Sequence, residues 1–303
     1  MPPRKSFREQ CVALAWGAWS ELGVSGWPTT HRDWAIDPEP LILLTAWLKD
    51  ADRRLRDEAT DWCVRYERRI SKARLKNLVA AQPDDVRAAY GVFAATVSAH
   101  VPSAWPGATS PRTFRPTGRS SLPSLDRPSL AWLRMRAVFG LGARAEVLRY
   151  LLANRGSSGH GLSAAVLARR TGYAKRIVAD ECDSLNHAGL LTARAVGNRF
   201  TYSLTRPSRL ADFVGELPSI QPDWTAVGNV ARVLTGLDDE ARTRSARTLP
   251  VAVRRALGEI EDDLHDVEAD PVPDSVVGPG LWPAAEQLGK ATLGRWARGQ
   301  WTA

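Results

Sequence analysis

The sequence predicts a mainly α-helical protein with one short β-hairpin, and three observations carry that prediction. Apolar residues recur at three- and four-residue spacing through most of residues 6–98 and again beyond Pro207. Strict alternation of apolar and polar residues appears at 191–204, on either side of Gly197 and Asn198. Between the first helical region and the rest, residues 101–128 hold Pro102, Pro106, Pro111, Pro116, Pro123 and Pro128 among Ser and Arg, and apolar periodicity vanishes. The chain therefore divides into a helical region (1–100), a Pro/Ser/Arg-rich linker (101–128), a central region (129–207) and a second helical region (208–303).

In the first region, Val12, Trp16 and Trp19 mark a helix over about Phe7–Leu22, and Gly23 stops it. A Trp/Pro-rich loop, Trp27–Pro40, leads to an apolar helix from Leu41 to Lys49. Asp50 is positioned to cap a helix with Leu55, Trp62 and Tyr66 on one side, and Ser71 to cap Lys72–Ala81. Pro83 opens a helix near Asp84–Ser98. In the last region a stripe from Trp224 to Leu234 ends at Gly236, and further helices are expected at Val251–Asp266 and Trp282–Arg298.

Charge is unevenly distributed along the 303 residues. The whole chain is +8, yet residues 129–207 alone carry 12 basic against four acidic side chains, while residues 208–303 sum to −5. A basic surplus confined to one segment favours a polyanion as its partner. No apolar run approaches the roughly 18–20 residues of a membrane span, and no secretory signal is evident at MPPRKSFREQ. Cys11, Cys63 and Cys182 lie far apart with no CxxC, which argues against a zinc ribbon or disulfide framework; a cytoplasmic protein is the expectation.

The basic region has a recognisable order of elements. Arg144–Asn154 presents Val147, Leu148, Leu151 and Leu152 as one apolar side, and the loop Gly156–Gly161 follows. Ser163 caps a short helix, Ala164–Arg170; Thr171-Gly172-Tyr173 makes a tight turn; and Lys175–Ala188 forms a second helix with Val178, Cys182 and Leu185 inward. Gly189 ends it, and the hairpin with its tip at Val196–Arg199 closes the unit. The stretch LSAAVLARRTGYAKRIVADECDSLNHAGLLTARAVGNRFTYSL resembles the DNA-binding half of MarR- and ArsR-type regulators, over about a quarter of the chain. The resemblance implies a winged helix-turn-helix between two helical domains, within a mainly α protein.

By that resemblance the N-terminal end of the second helix enters the major groove and the hairpin reaches the backbone or minor groove. Tyr173, Lys175 and Arg176 are then candidates for base edges, with Thr171 beside them. Arg169, Arg170, Arg194 and Arg199 are candidates for phosphates, and Asn198 lies at the wing tip. Asp180, Glu181 and Asp183 fall further along the helix, where they point away from phosphates. The expected function is a sequence-specific DNA-binding transcriptional regulator, a homodimeric repressor of double-stranded operator DNA. The alternative is an antitoxin-like interaction partner of a toxin or defence enzyme, its acidic C-terminal domain masking a basic surface.

No GxxxxGK[ST], GxSxG, HExxH or GxGxxG occurs, so neither an enzyme nor a cofactor or metal site is expected. Other features have plain readings. Asp37 and Glu39 read as a solvated turn, and the basic run Arg65, Arg68, Arg69, Lys72, Arg74 and Lys76 as solvent-facing charge. The acidic cluster Glu259–Asp270 reads as a solvated helix face, Cys182 as core, and His187 as a partner of its own helix terminus. Trp27 and Trp34 are candidates to line a groove, with core packing as the simpler expectation.

Overall fold

The computed structural model describes residues 6–26, 34–155, 161–218 and 220–301. It is 62% helix, with 14 α-helices and one three-stranded antiparallel sheet among the described residues. None of these helices is long and apolar enough to cross a membrane. Trp27 and the first five residues of the Gly156–Gly161 loop lie outside the described residues.

Helix α1 (Phe7–Glu21) starts with a capping box, in which Ser6 and Glu9 each satisfy the other's backbone N–H. Helix α2 (Pro38–Leu48) begins three residues earlier than its apolar run, because Pro38 is preset for a first turn. Asp52 rather than Asp50 caps α3 (Arg53–Arg65), accepting from the N–H of Leu55 at 2.9 Å. Ser71 caps α4 (Lys72–Ala80), and Pro83 precedes α5 (Asp84–Ser98).

Helix α6 (Ala131–Phe139) was not visible in the apolar pattern, and α7 (Ala143–Ala153) follows it. Next come β1 (Leu162–Ser163), α8 (Ala164–Thr171), α9 (Lys175–His187), β2 (Leu191–Val196), β3 (Arg199–Leu204) and α10 (Pro207–Val214). The last segment is α11 (Trp224–Ala241), α12 (Leu249–Glu259), α13 (Glu261–Asp266) and α14 (Leu281–Trp296). The helix expected over 251–266 is broken at Ile260.

The two helical regions that the Pro-rich stretch and the basic segment separate in sequence share one hydrophobic core. It runs without interruption from Phe7 in α1 through α2–α5 to α11, α12 and α14. Trp34 is buried at its centre, stacked on Trp224 with ring centres 5.3 Å apart and tilted against Trp301 at 5.2 Å; its Nε1 donates to the carbonyl of Gly299. Trp34 is therefore core, and residues at opposite ends of the chain build one body rather than two flanking domains. A second, smaller core spans α7–α10 and the sheet.

Residues 101–128 have no regular structure yet are not a solvated linker. The N–H groups of Thr117 and Gly118 donate to Asp61 of α3, the N–H of Leu122 to the Tyr66 hydroxyl, and Arg112 pairs with Asp57 at 2.7 Å. The segment is a strap tied across α3 and α5 by backbone hydrogen bonds that no apolar pattern announces. It passes just beyond the C-terminal end of α1 at Gly23, whose φ is +96° and whose carbonyl accepts from Ser121 at 2.9 Å. A Cβ there would sit 1.9 Å from the Ser121 carbonyl oxygen. Gly23→Ala is expected to cost about 2–4 kcal/mol and to open residues 101–128 to limited proteolysis, which a trypsin time course will show.

Candidate nucleic-acid interface

The basic segment places α8 and α9 in a helix-turn-helix order against the sheet, which runs β1-β3-β2. The register pairs Leu191 with Leu204, Ala193 with Tyr202 and Val196 with Arg199, so Gly197 and Asn198 form the two-residue turn the alternation predicted. Leu191 and Tyr202 face the core. Arg194, Asn198 and Arg199 stand exposed toward the tip.

In the first turn of α9, Lys175 and Arg176 are exposed, as is Arg169 on α8. None of Arg169, Lys175, Arg176, Arg194 and Arg199 has a carboxylate partner among the described residues, whereas Arg136, Arg144, Arg149 and Arg170 of the same segment do. The acidic residues of α9 are partly absorbed within the unit. Glu181 pairs with Arg144 at 3.0 Å, and Asp183 accepts from the Tyr202 hydroxyl at 2.8 Å. His187 Nδ1 lies 2.8 Å from the carbonyl of Asp183, at its own helix end, and Cys182 is fully buried.

Three expected contact residues are placed otherwise. Thr171 is fully buried, and its carbonyl accepts from Arg74 Nε at 2.6 Å. Tyr173 is only 8% exposed, and its hydroxyl meets that of Ser71 at 2.7 Å. Arg170 is turned to the C-terminal segment, pairing with Asp266 at 2.7 Å and Asp223 at 3.4 Å. The first two corrections share a cause: the α8–α9 turn is docked on α4, where Asn77 also donates to the carbonyl of Gly172. Gly172, at φ +74°, is needed there, since a Cβ would meet Arg74 and Leu78 at 3.1 and 3.3 Å.

Behind the turn lies a charge cluster that sequence reasoning missed. Asp37 and Glu39 are not a solvated turn, and Arg74 is not solvent-facing: all three are buried, with Arg136, Glu146 and Arg149. Both oxygens of Asp37 accept from Arg74. Glu39 accepts from Arg74, from the Ser71 N–H, and from both terminal nitrogens of Arg136 at 2.7–2.8 Å. Arg136 also donates to Glu146, which in turn accepts from Arg149 at 3.2 Å.

Burial opposes ionisation of Glu39, but Arg136 and Arg74 outweigh it and hold the carboxyl down at about 2. At Asp37 burial prevails over Arg74 and pushes the carboxyl up to about 6. The cluster welds α2 and α4 of the body to α6 and α7 of the basic segment, and so fixes where the α8–α9 turn can sit. Its one sequence signal was the presence of acids and arginines inside otherwise apolar stretches.

The acidic stretch Glu259–Asp270 is likewise in use, with Asp266 on Arg170 and Asp263 accepting from Asn229. Among the described residues no group of three or more His, Cys, Asp or Glu is arranged to hold a metal. Comparison with known proteins finds no family model, no curated relative and no solved structure that matches the chain.

Proposed function

We propose that residues 129–214 form a winged helix-turn-helix that binds double-stranded DNA, and that the protein is a sequence-specific transcriptional regulator. One observation carries this reading: the two elements a winged helix offers to DNA, the first turn of α9 and the hairpin tip, hold Lys175, Arg176, Arg194 and Arg199 exposed and, among the described residues, without carboxylate partners. Lys175 and Arg176 reach base edges; Arg194 and Arg199 contact phosphates, with Asn198 at the wing tip. A homodimer reading two half-sites supplies the specificity that one such unit lacks.

A second reading, an antitoxin-like protein partner, draws on the half-exposed Val196 and Phe200 of the hairpin, apolar groups that a DNA wing has no need to expose.

Fluorescence anisotropy of the full chain on its own upstream duplex and on a scrambled duplex, at 50–300 mM salt, decides between them. Preference of about a thousandfold with a steep salt slope is expected. Weak and equal binding to both duplexes overturns the regulator and favours the interaction module.

A further inference from the structure

A polar cavity of about 440 Å³ opens where α4, α7, α8 and the C-terminal segment meet. Cavities of this size at the junction of structural units are where small molecules bind. The wall also carries the exposed carboxylate Glu268, and the cavity's anion-binding chemistry follows from which cations in its wall are already used. Arg74 is spent on Asp37 and Glu39, and Arg170 on Asp223 and Asp266. Arg149 is different. Its Nε donates to Glu146, a carboxylate it shares with Arg136; its Nη1 donates to the neutral amide of Gln221; its Nη2 has no acceptor among the described residues.

The Arg149 guanidinium lies 3.5 Å from the ring centre of Trp132, and its side chain is 3% exposed. Burial lowers its pKa, whereas Arg74 and Arg136, against the same effect, are raised by their carboxylates. Arg149 is thus the cation of the cluster with least compensating negative charge. Among the described residues the buried Trp132 indole N–H has no acceptor, and Arg169, exposed at the rim, has no partner. A buried guanidinium with an unspent donor, a second guanidinium at the rim and an orphaned N–H together lack an acceptor with two or more oxygens.

We propose that this cavity binds a small oxyanion, a metabolite bearing a phosphate or carboxylate group, held between Arg149 and Arg169. Because Arg170 and Gly172 form part of the same wall, the bound anion sets the position of the α8–α9 turn and acts as the effector of DNA binding. That consequence, though not the site itself, rests on the regulator reading.

The test is calorimetric titration of the full chain, without DNA, with inorganic phosphate and with succinate. A saturable response with a dissociation constant below about 1 mM is expected for at least one. A response to phosphate alone identifies a phosphoryl ligand, and one to succinate alone a carboxylate ligand. Arg169→Ala, at an exposed position that leaves folding intact, is expected to weaken binding at least tenfold. The pair Lys175→Ala and Arg176→Ala is expected to leave it unchanged, which separates the cavity from the DNA-facing surface. No saturable response to either anion, or a response lost with Lys175 and Arg176 rather than Arg169, overturns the proposal. An anion-binding protein that shows no duplex preference keeps the site and discards the regulator.

Discussion

Glu39→Ala is expected to destabilise the protein by about 3–5 kcal/mol, the cost of removing one partner from a buried ion pair. Glu39 is fully buried and accepts from Ser71, Arg74 and Arg136. Its loss leaves two desolvated guanidiniums with less opposing charge and one buried N–H unsatisfied. At roughly 2–4 °C per kcal/mol for a chain of this order of size, the melting midpoint falls by about 10 °C. Glu39→Gln, which keeps the shape and an acceptor oxygen but not the charge, is expected to fall between the two.

The difference between wild type and Glu39→Gln depends on pH. The folded carboxyl titrates at about 2, below its ordinary value of 4.5. Its ionisation therefore contributes fully above about 4.5 and is lost as pH falls toward 2. Urea unfolding at pH 7, 5 and 3 should show the gap persist at the first two and narrow at the third. A gap that is constant, or one that widens on acidification, would exclude Glu39 as the anionic centre of the cluster.

That cluster also marks where sequence reasoning stops. The hairpin was legible because alternation and a Gly-Asn turn are local signals, and α9 because Val178, Cys182 and Leu185 repeat at helical spacing. Helix α6 was not, because Arg134 and Arg136 interrupt its apolar stripe. In the fold Arg136 is as buried as a core leucine, its charge met by Glu39, 97 residues away. Asp37 and Glu39 were misread for the same reason: a carboxylate between prolines belongs in a solvated turn unless a distant guanidinium claims it. At the candidate interface, the exposed Lys175, Arg176 and hairpin arginines follow from the pattern of each element alone. The burial of Thr171 and Tyr173 does not, because it depends on α4, about 100 positions earlier, being brought against the turn.

The docked turn shapes what mutation of α9 should do. Lys175→Ala with Arg176→Ala removes two candidate base-edge contacts, each worth about 1–3 kcal/mol. Binding to the preferred duplex is therefore expected to weaken about 10²–10⁴-fold, with much smaller loss on a scrambled duplex. Both side chains are exposed and, among the described residues, unpaired, so thermal stability should change by less than about 0.5 kcal/mol. Arg199→Ala acts on another term, lowering the slope of affinity against salt by about one charge while leaving sequence preference intact.

Tyr173→Phe completes the set. Its hydroxyl is engaged with Ser71 on α4 and is turned away from any groove, so the variant is expected to lose about 1 kcal/mol of stability without altering preference between duplexes. Anisotropy on both duplexes for the three variants separates the roles. A changed preference in Tyr173→Phe would mean that the turn leaves α4 before DNA is read; an unchanged one is the expected result for a hydroxyl held by Ser71 at the start of α4.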